Sequence, residues 1–201
     1  LLAPAAADDG LGEALQEYGL SLDVDIDEAE DLVWVVQEAI HAPLPKGWTE
    51  HIDEQGRTFF FDAVSEQSTW EHPMDIVYRE VLGIVQRIRK EEAERGDEEA
   101  QPVIVGDEAV HPRTLAIRDH IEEIHKRAMR DLEDWSGPYD VADGEYYYNE
   151  TLQISAWENP VEKWERELAI RHRILCKCLR SRAKLPPLRR LRSVTFCIIY
   201  A

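Results

Sequence analysis

The chain has 201 residues, with 41 acidic against 23 basic side chains and a formal charge of −18. That length suits one medium domain or two small ones, and a hydrophobic share of 44% supplies a core of moderate size. Such acidity disfavours binding to nucleic-acid phosphates, and no apolar run approaches the roughly 20 residues that cross a bilayer. The opening LLAPAAADDG has neither the basic start nor the apolar centre of a secretion signal, and Leu1 reads as the first residue of a fragment. Cys176, Cys178 and Cys197 form no disulfide framework and no zinc spacing, which fits a reducing compartment.

In chain order, residues 11–19 read as a short helix ending at Gly19. Asp23, Asp25 and Asp27 follow without the glycine and terminal Glu of a calcium loop, so they read as a solvated acidic turn. Residues 28–41 carry Leu32, Val33, Val36, Ala39 and Ile40 at helical spacing, behind an acidic start that suits the helix dipole. A second long helix spans 75–95, with Tyr78, Val81, Leu82, Val85 and Ile88 in one stripe. Residues 96–113 read as a linker with a small apolar patch, Val103-Ile104-Val105. Another helix, 114–133, presents Leu115, Ile117, Ile121, Ile124 and Met129, and a last one after Pro160 carries Trp164, Leu168, Ile170, Ile174 and Leu175. Trp34 and Trp164 read as core.

Between the helices lies an internal repeat. Trp48 and Trp70 are 22 residues apart and Pro73 follows by three; Trp135, Trp157 and Pro160 reproduce both spacings. Each first tryptophan is followed 11 residues on by an aromatic triplet, Phe59-Phe60-Phe61 or Tyr146-Tyr147-Tyr148, giving a period of 87. Aromatic triplets favour a pleated, half-buried strand, and turn residues flank both: Asp53-Glu54-Gln55-Gly56 before the first and Asp143-Gly144 before the second. Each unit therefore reads as a three-stranded antiparallel meander. Strand alternation puts Phe59 and Phe61 on one face and Phe60 on the other, with Tyr146 and Tyr148 likewise set against Tyr147.

The stretches LPKGW…GRTFFFD…STWEHP and DW…DGEYYYNETLQISAWENP resemble two WW domains, with cores at 44–73 and 133–160. The resemblance implies a buckle on one face, formed by Trp48, Phe60 and Pro73 in the first and by Trp135, Tyr147 and Pro160 in the second. It implies a proline-binding groove on the opposite face, made by Phe59, Phe61, Ser68 and Trp70, and by Tyr146, Tyr148, Ser155 and Trp157. Parallel rings clamp pyrrolidines of a pre-extended polyproline II segment, and an indole N–H donates to a peptide carbonyl. Ala63 and Glu150 stand where members that read a ligand tyrosine carry His, so a Pro-Pro-x-Tyr ligand is not implied. Residues 14–90, through W…A-P-L-P (Trp34, Ala42 to Pro45) and H-P-x-D-x-x-Y-R (His72 to Arg79), are further similar to the amino-terminal extended WW module of a centrosomal protein of centriole distal appendages. The second unit falls outside that similarity, which points to a relative.

The expected fold class is α+β: two three-stranded WW meanders packed among mostly helical flanks. The units are 11–95, a linker 96–113, 114–180 and a basic tail 181–201. Residues 171–201 hold nine basic side chains and no acidic one, which leaves the rest of the chain at −27. Within that tail, Lys184-Leu185-Pro186-Pro187-Leu188-Arg189-Arg190 resembles a proline-plus-basic ligand for a WW groove, in cis or from a neighbouring chain; the alternative is a basic strap onto an acidic surface such as tubulin. No histidine–cysteine–aspartate constellation, phosphate loop or metal motif occurs, so no catalytic residue, metal or cofactor is expected. The expected role is a non-enzymatic scaffold binding proline-rich segments in a ciliary or centriolar assembly, in cytoplasm and cytoskeleton. Two alternatives are a purely structural axonemal component with filled grooves and an RNA-processing adaptor. The latter favours a short rigid linker, against the 60 residues of 74–133 here.

Overall fold

Three helices of the chain start on the same local chemistry, a ring or amide side chain followed by proline. A computed structural model describes residues 9–63, 65–95, 101–142, 144–181 and 183. In it His111 Nδ1 accepts from the Arg113 N–H (3.1 Å) to open α4, Pro112–Glu133, and Asn159 Oδ1 accepts from the Val161 N–H (2.9 Å) to open α5, Pro160–Cys178. Proline suits the first helical turn because its missing N–H is unpaired there anyway. Before α3, Asp75–Arg95, the His72 ring accepts from the Met74 N–H and Asp75 reaches back to the His72 N–H. The remaining helices are α1, Asp9–Ser21, and α2, Val33–Ile40, which a 3-10 turn at Glu30–Leu32 leads into.

The strands form three separate antiparallel groups. The first sheet is β1 Trp48–Ile52, β2 Thr58–Asp62 and β3 Gln67–Thr69, in chain order. A hairpin, β4 Val103–Val105 with β5 Glu108–Val110, lies inside the stretch read as a linker, and α4 begins two residues before the expected position. The second three-stranded sheet is β6 Trp135–Val141, β7 Gly144–Asn149 and β8 Ile154–Ala156. Its β7–β8 pairs, Tyr147 with Ala156, Tyr148 with Ser155 and Asn149 with Ile154, are the β2–β3 pairs of the first sheet displaced by 87 residues. Glu66 and Gln153, both at φ 56°, occupy corresponding turns.

The helices bury one another. One apolar cluster runs from Leu22 and Val24 through Leu32, Val36, Val81 and Leu82 to Ile117, Ile121, Leu168 and Leu175, and no strand residue belongs to it. Each fully buried Leu or Ile contributes roughly 2 kcal/mol. The helical stripes thus pack on one another and not on the outer faces of the sheets. Three short strands offer little area, whereas α3, α4 and α5 each carry several turns of aligned apolar side chains. Across the 3-10 turn and α2 the buried set is Leu32, Val35, Val36 and Ala39, the i, i+3, i+4, i+7 positions, so Val35 replaces Ile40, which is 41% exposed. Trp164 is buried, its indole N–H donating to Asp131 Oδ2 at 2.7 Å; Trp34 packs at the cluster's edge under the Lys177 ammonium.

A charge network crosses this core. The buried guanidinium of Arg171 on α5 donates to Glu80 of α3 (2.7 Å) and Glu167 of its own helix (3.1 Å). Glu80 also receives both terminal nitrogens of Arg127 from α4, at 2.8 and 3.2 Å. Burial pushes the Glu80 carboxyl up, but the hydrogen bonds from Arg127 and Arg171 outweigh it and hold its pKa below the usual range. His120 of α4 is the opposite case: burial first, then the nearby Arg171, push its imidazole down to about 4.

Two outcomes follow for stability. Arg171→Met strands the buried Glu167 carboxylate and should cost about 3 kcal/mol or more, read by urea unfolding at pH 7. His120 folds neutral, so its stabilising contribution is complete above the ordinary imidazole pKa of about 6.5 and is lost as pH falls toward 4. Stability should drop by on the order of 2–3 kcal/mol over that window, and His120→Phe should remove that part of the slope.

Candidate functional site

The first sheet presents its aromatic residues on two faces. On one, Phe59 meets Trp70 edge-on at 5.9 Å between ring centroids, and His51 stacks on Phe59 at 5.3 Å while touching Phe61 at 6.3 Å. Ser68 lies opposite Phe61 in the β2–β3 register and is exposed. The residues assigned to a groove thus share one face, and His51 joins them. Its position is legible in hindsight, because β1 alternates just as β2 does and the register places His51 across from Phe59. Trp70 is 57% exposed, and a shallow cavity of about 220 Å³ runs along Asp53, Phe59, Ser68, Thr69 and Trp70.

The β1–β2 turn sets one edge of this face. Asp53 Oδ1 accepts from the backbone N–H groups of Gln55 and Arg57, and Gly56 takes the left-handed φ of 79° that the turn needs. The backbone bond from Arg57 is the main reason the Asp53 carboxyl lies below its usual pKa. Asp53 Oδ2 then accepts from Arg57 Nε at 2.8 Å, which puts the guanidinium 4.5 Å from the centre of the Trp70 ring. One ring face of Trp70 therefore carries a cation, while Phe59 meets the indole edge-on.

The second sheet holds a parallel set. Tyr146 lies 5.3 Å from Tyr139 and 6.4 Å from Trp157, so Tyr139–Tyr146–Trp157 matches His51–Phe59–Trp70. The strand offset differs by one residue, because β6 is irregular between Ser136 and Tyr139. Gly137 occupies that irregularity at φ 122°, and a Cβ there would come within 3.0 Å of the Tyr146 carbonyl oxygen. That extra residue hid Tyr139 from a strict 87-residue comparison. Tyr148 is half-buried, its carbonyl accepting from Ser136 Oγ at 3.1 Å. Asn149, 1% exposed, receives the Leu152 N–H and fastens the β7–β8 turn, as Asp62 receives Ser65 Oγ in the first sheet.

The reverse faces of both sheets are partly covered. Phe60 abuts His72 edge-on at 5.0 Å, and Tyr147 is buried on the reverse of its own triplet. Trp48 and Pro73 of the first unit and Trp135 and Pro160 of the second line one cleft of about 230 Å³ between the sheets. Ser155 and Trp157 line this cleft as well, so the second sheet's groove residues are half-buried where Ser68 and Trp70 are exposed. The Trp135 indole N–H is buried with no hydrogen-bond partner among the described residues, a donor left costly until it meets an acceptor.

Elsewhere the chemistry is quiet. Cys176 and Cys178 are half-buried, and burial pushes both thiols up, Cys178 to about 11, which keeps them protonated. Asp25 takes hydrogen bonds from Gln16 and the Asp27 N–H in the acidic turn. No cluster of metal-ligating side chains occurs among the described residues, and no helix there is long and apolar enough to cross a membrane. The proline-containing segment 184–190 and Cys197 lie outside the described residues. Gly137→Ala should disturb the second sheet selectively, with about 2 kcal/mol or more lost from clash and backbone strain. It should shift the Tyr147 ring resonances and leave those of Phe59 in place.

Residues 10–97 match the CEP164 N-terminal domain, a stretch that contains α1, α2, the first sheet and α3. Over 70 residues the chain is 31% identical to the centrosomal protein of 164 kDa of Mus musculus, which is 35% of this chain and 5% of that protein. The chain therefore spans a small fraction of the curated relative it matches. The second sheet, hairpin and α5 lie beyond the matched domain, so the first sheet and its flanking helices are the part of this chain that is similar to the CEP164 N-terminal domain.

Proposed function

We propose that this chain is a non-enzymatic scaffold of a centriolar assembly that binds proline-rich protein segments through the aromatic face of its first sheet. The observation that carries this reading is the exposed Trp70, set edge-on to Phe59 beside a shallow cavity, inside the region matching the CEP164 N-terminal domain. An extended polyproline II segment loses little entropy on docking, and its pyrrolidines fit between such rings. The centrosomal relative supports placement at the centriole, and a ciliary or basal-body site is part of the proposal.

In this reading both sheets are WW modules, but they work differently. The first groove is open, and the Arg57 guanidinium at its edge favours an acidic or carbonyl-rich neighbour of the ligand proline. The second has Trp157 turned into the cleft between the sheets, which favours a structural role for that module.

Titrating the full chain with a panel of proline-rich peptides tests the assignment. Trp70→Ala should weaken the best peptide at least tenfold, a loss of about 1.4 kcal/mol or more, as expected for a central aromatic anchor. Trp157→Ala should change it by less than about threefold. Absence of binding by the wild-type chain across the panel would instead support a purely structural component.

A further inference from the structure

An open trough runs along α1, away from both aromatic faces, and we infer that it docks a basic amphipathic helix of a partner protein. Its volume is about 700 Å³. Leu15, Leu20 and Ile26 form its apolar part, and Leu20 is 54% exposed. The charged residues on its walls are Glu13, Glu17 and Asp27, all acidic. A single exposed leucine is ordinary on a protein surface. An apolar trough rimmed by charges of one sign selects its occupant.

Local chemistry builds the two walls. Gln16 of α1 donates its side-chain amide to Asp25 Oδ1 at 2.8 Å and accepts from the Ile26 N–H at 3.2 Å. These bonds hold the turn that follows α1 back against the helix. Gly19 permits the approach, since a Cβ there would come within 2.9 Å of the Val24 carbonyl oxygen. At the other end stands Gly12, where a Cβ would meet nothing within 4 Å. Gly12, Gln16 and Leu20 fall at i, i+4 and i+8, one line along the helix. At 1.5 Å per residue that line is about 12 Å long, room for two turns of a second helix. Such a helix would seat apolar side chains at i, i+4 and i+7, and the bare backbone at Gly12 lets it come close.

Charge gives the sign of the partner. Residues 1–45 contain 11 Asp and Glu and no Lys or Arg. Asp31, Glu38 and Asp53 are engaged by Arg89, Arg173 and Arg57. Glu13, Glu17 and Asp27 have no ion pair among the described residues, so their charge is available to a partner. Lysine and arginine stems cover apolar surface while their ends reach such a rim. The same rim repels the phosphates of nucleic acids and anionic lipids.

The inference does not rest on proline binding by the first sheet, and Trp70→Ala should leave it untouched. The full chain is titrated with a Lys–Leu amphipathic helical peptide and with its Glu–Leu counterpart, and methyl resonances are followed. Those of Leu15, Leu20 and Ile26 should shift saturably with the first peptide, less tightly at high salt, and stay in place with the second. Gly12→Leu fills the trough with a residue that favours helix over glycine, so the fold is kept. It should weaken binding about tenfold or more, and Glu13→Lys/Glu17→Lys should do the same. Methyls unmoved by the Lys–Leu peptide, or binding that Gly12→Leu leaves unchanged, would overturn the inference. So would the same shifts on adding a peptide of residues 184–192, which would give the trough to this chain's own tail. Concentration-dependent shifts without any peptide would overturn it too, in favour of a second copy.

Discussion

A guanidinium cannot be buried without anionic partners, and Arg171, at 1% exposure, is the place where that rule organises this molecule. Its partners come from two helices: Glu80 from α3 and Glu167 from α5. Glu80 is also bound by Arg127 of α4, so three helices meet at one carboxylate. The apolar stripes on the same helices would tolerate some rotation and sliding. A fixed set of charge-assisted hydrogen bonds does not, and it sets the register in which those stripes interlock. Arg173 on Glu38 and the Lys177 ammonium 3.5 Å from the Trp34 ring centre extend the same fastening to α2.

The position of the sheets follows from that helical frame. α3 continues from the end of the first sheet and α5 from the end of the second, each through a proline at or near the helix start. Docking α3 against α5 therefore brings the two helix starts, and with them Pro73 and Pro160, to one cleft. The consequence is unequal exposure of two otherwise parallel aromatic sets. Trp70 faces outward beside Arg57, whereas Trp157 is drawn toward the partner sheet. Related sequence in two units thus yields different surfaces, because surface is decided by what packs alongside.

This arrangement also gives the matched region a context. The part similar to the CEP164 N-terminal domain supplies α1 to α3 and the first sheet, and the remainder supplies the helices that cover its apolar side. Tyr18 illustrates the tie within the matched part. Its hydroxyl donates to Asp75 at 2.5 Å, and burial together with that carboxylate pushes the phenol well above its usual pKa. The helix that opens the domain is thereby fastened to the start of the helix that closes it.

Much of the fold is legible in the residues alone. The spacing of Trp48, the Phe triplet and Trp70, and its recurrence 87 residues on, identifies two meanders, because aromatic alternation and turn residues act locally. The helix from 75 to 95 and its buried stripe follow from periodicity for the same reason. His51 and Tyr139 are not legible from spacing alone because membership of an aromatic face depends on cross-strand register, and a one-residue irregularity at Gly137 displaces the second of them. What only tertiary structure decides is which surfaces remain free. The sequence marks Trp70 and Trp157 alike, and the packing of α3 on α5 leaves one exposed and turns the other into a cleft, since burial is a property of neighbours far apart along the chain.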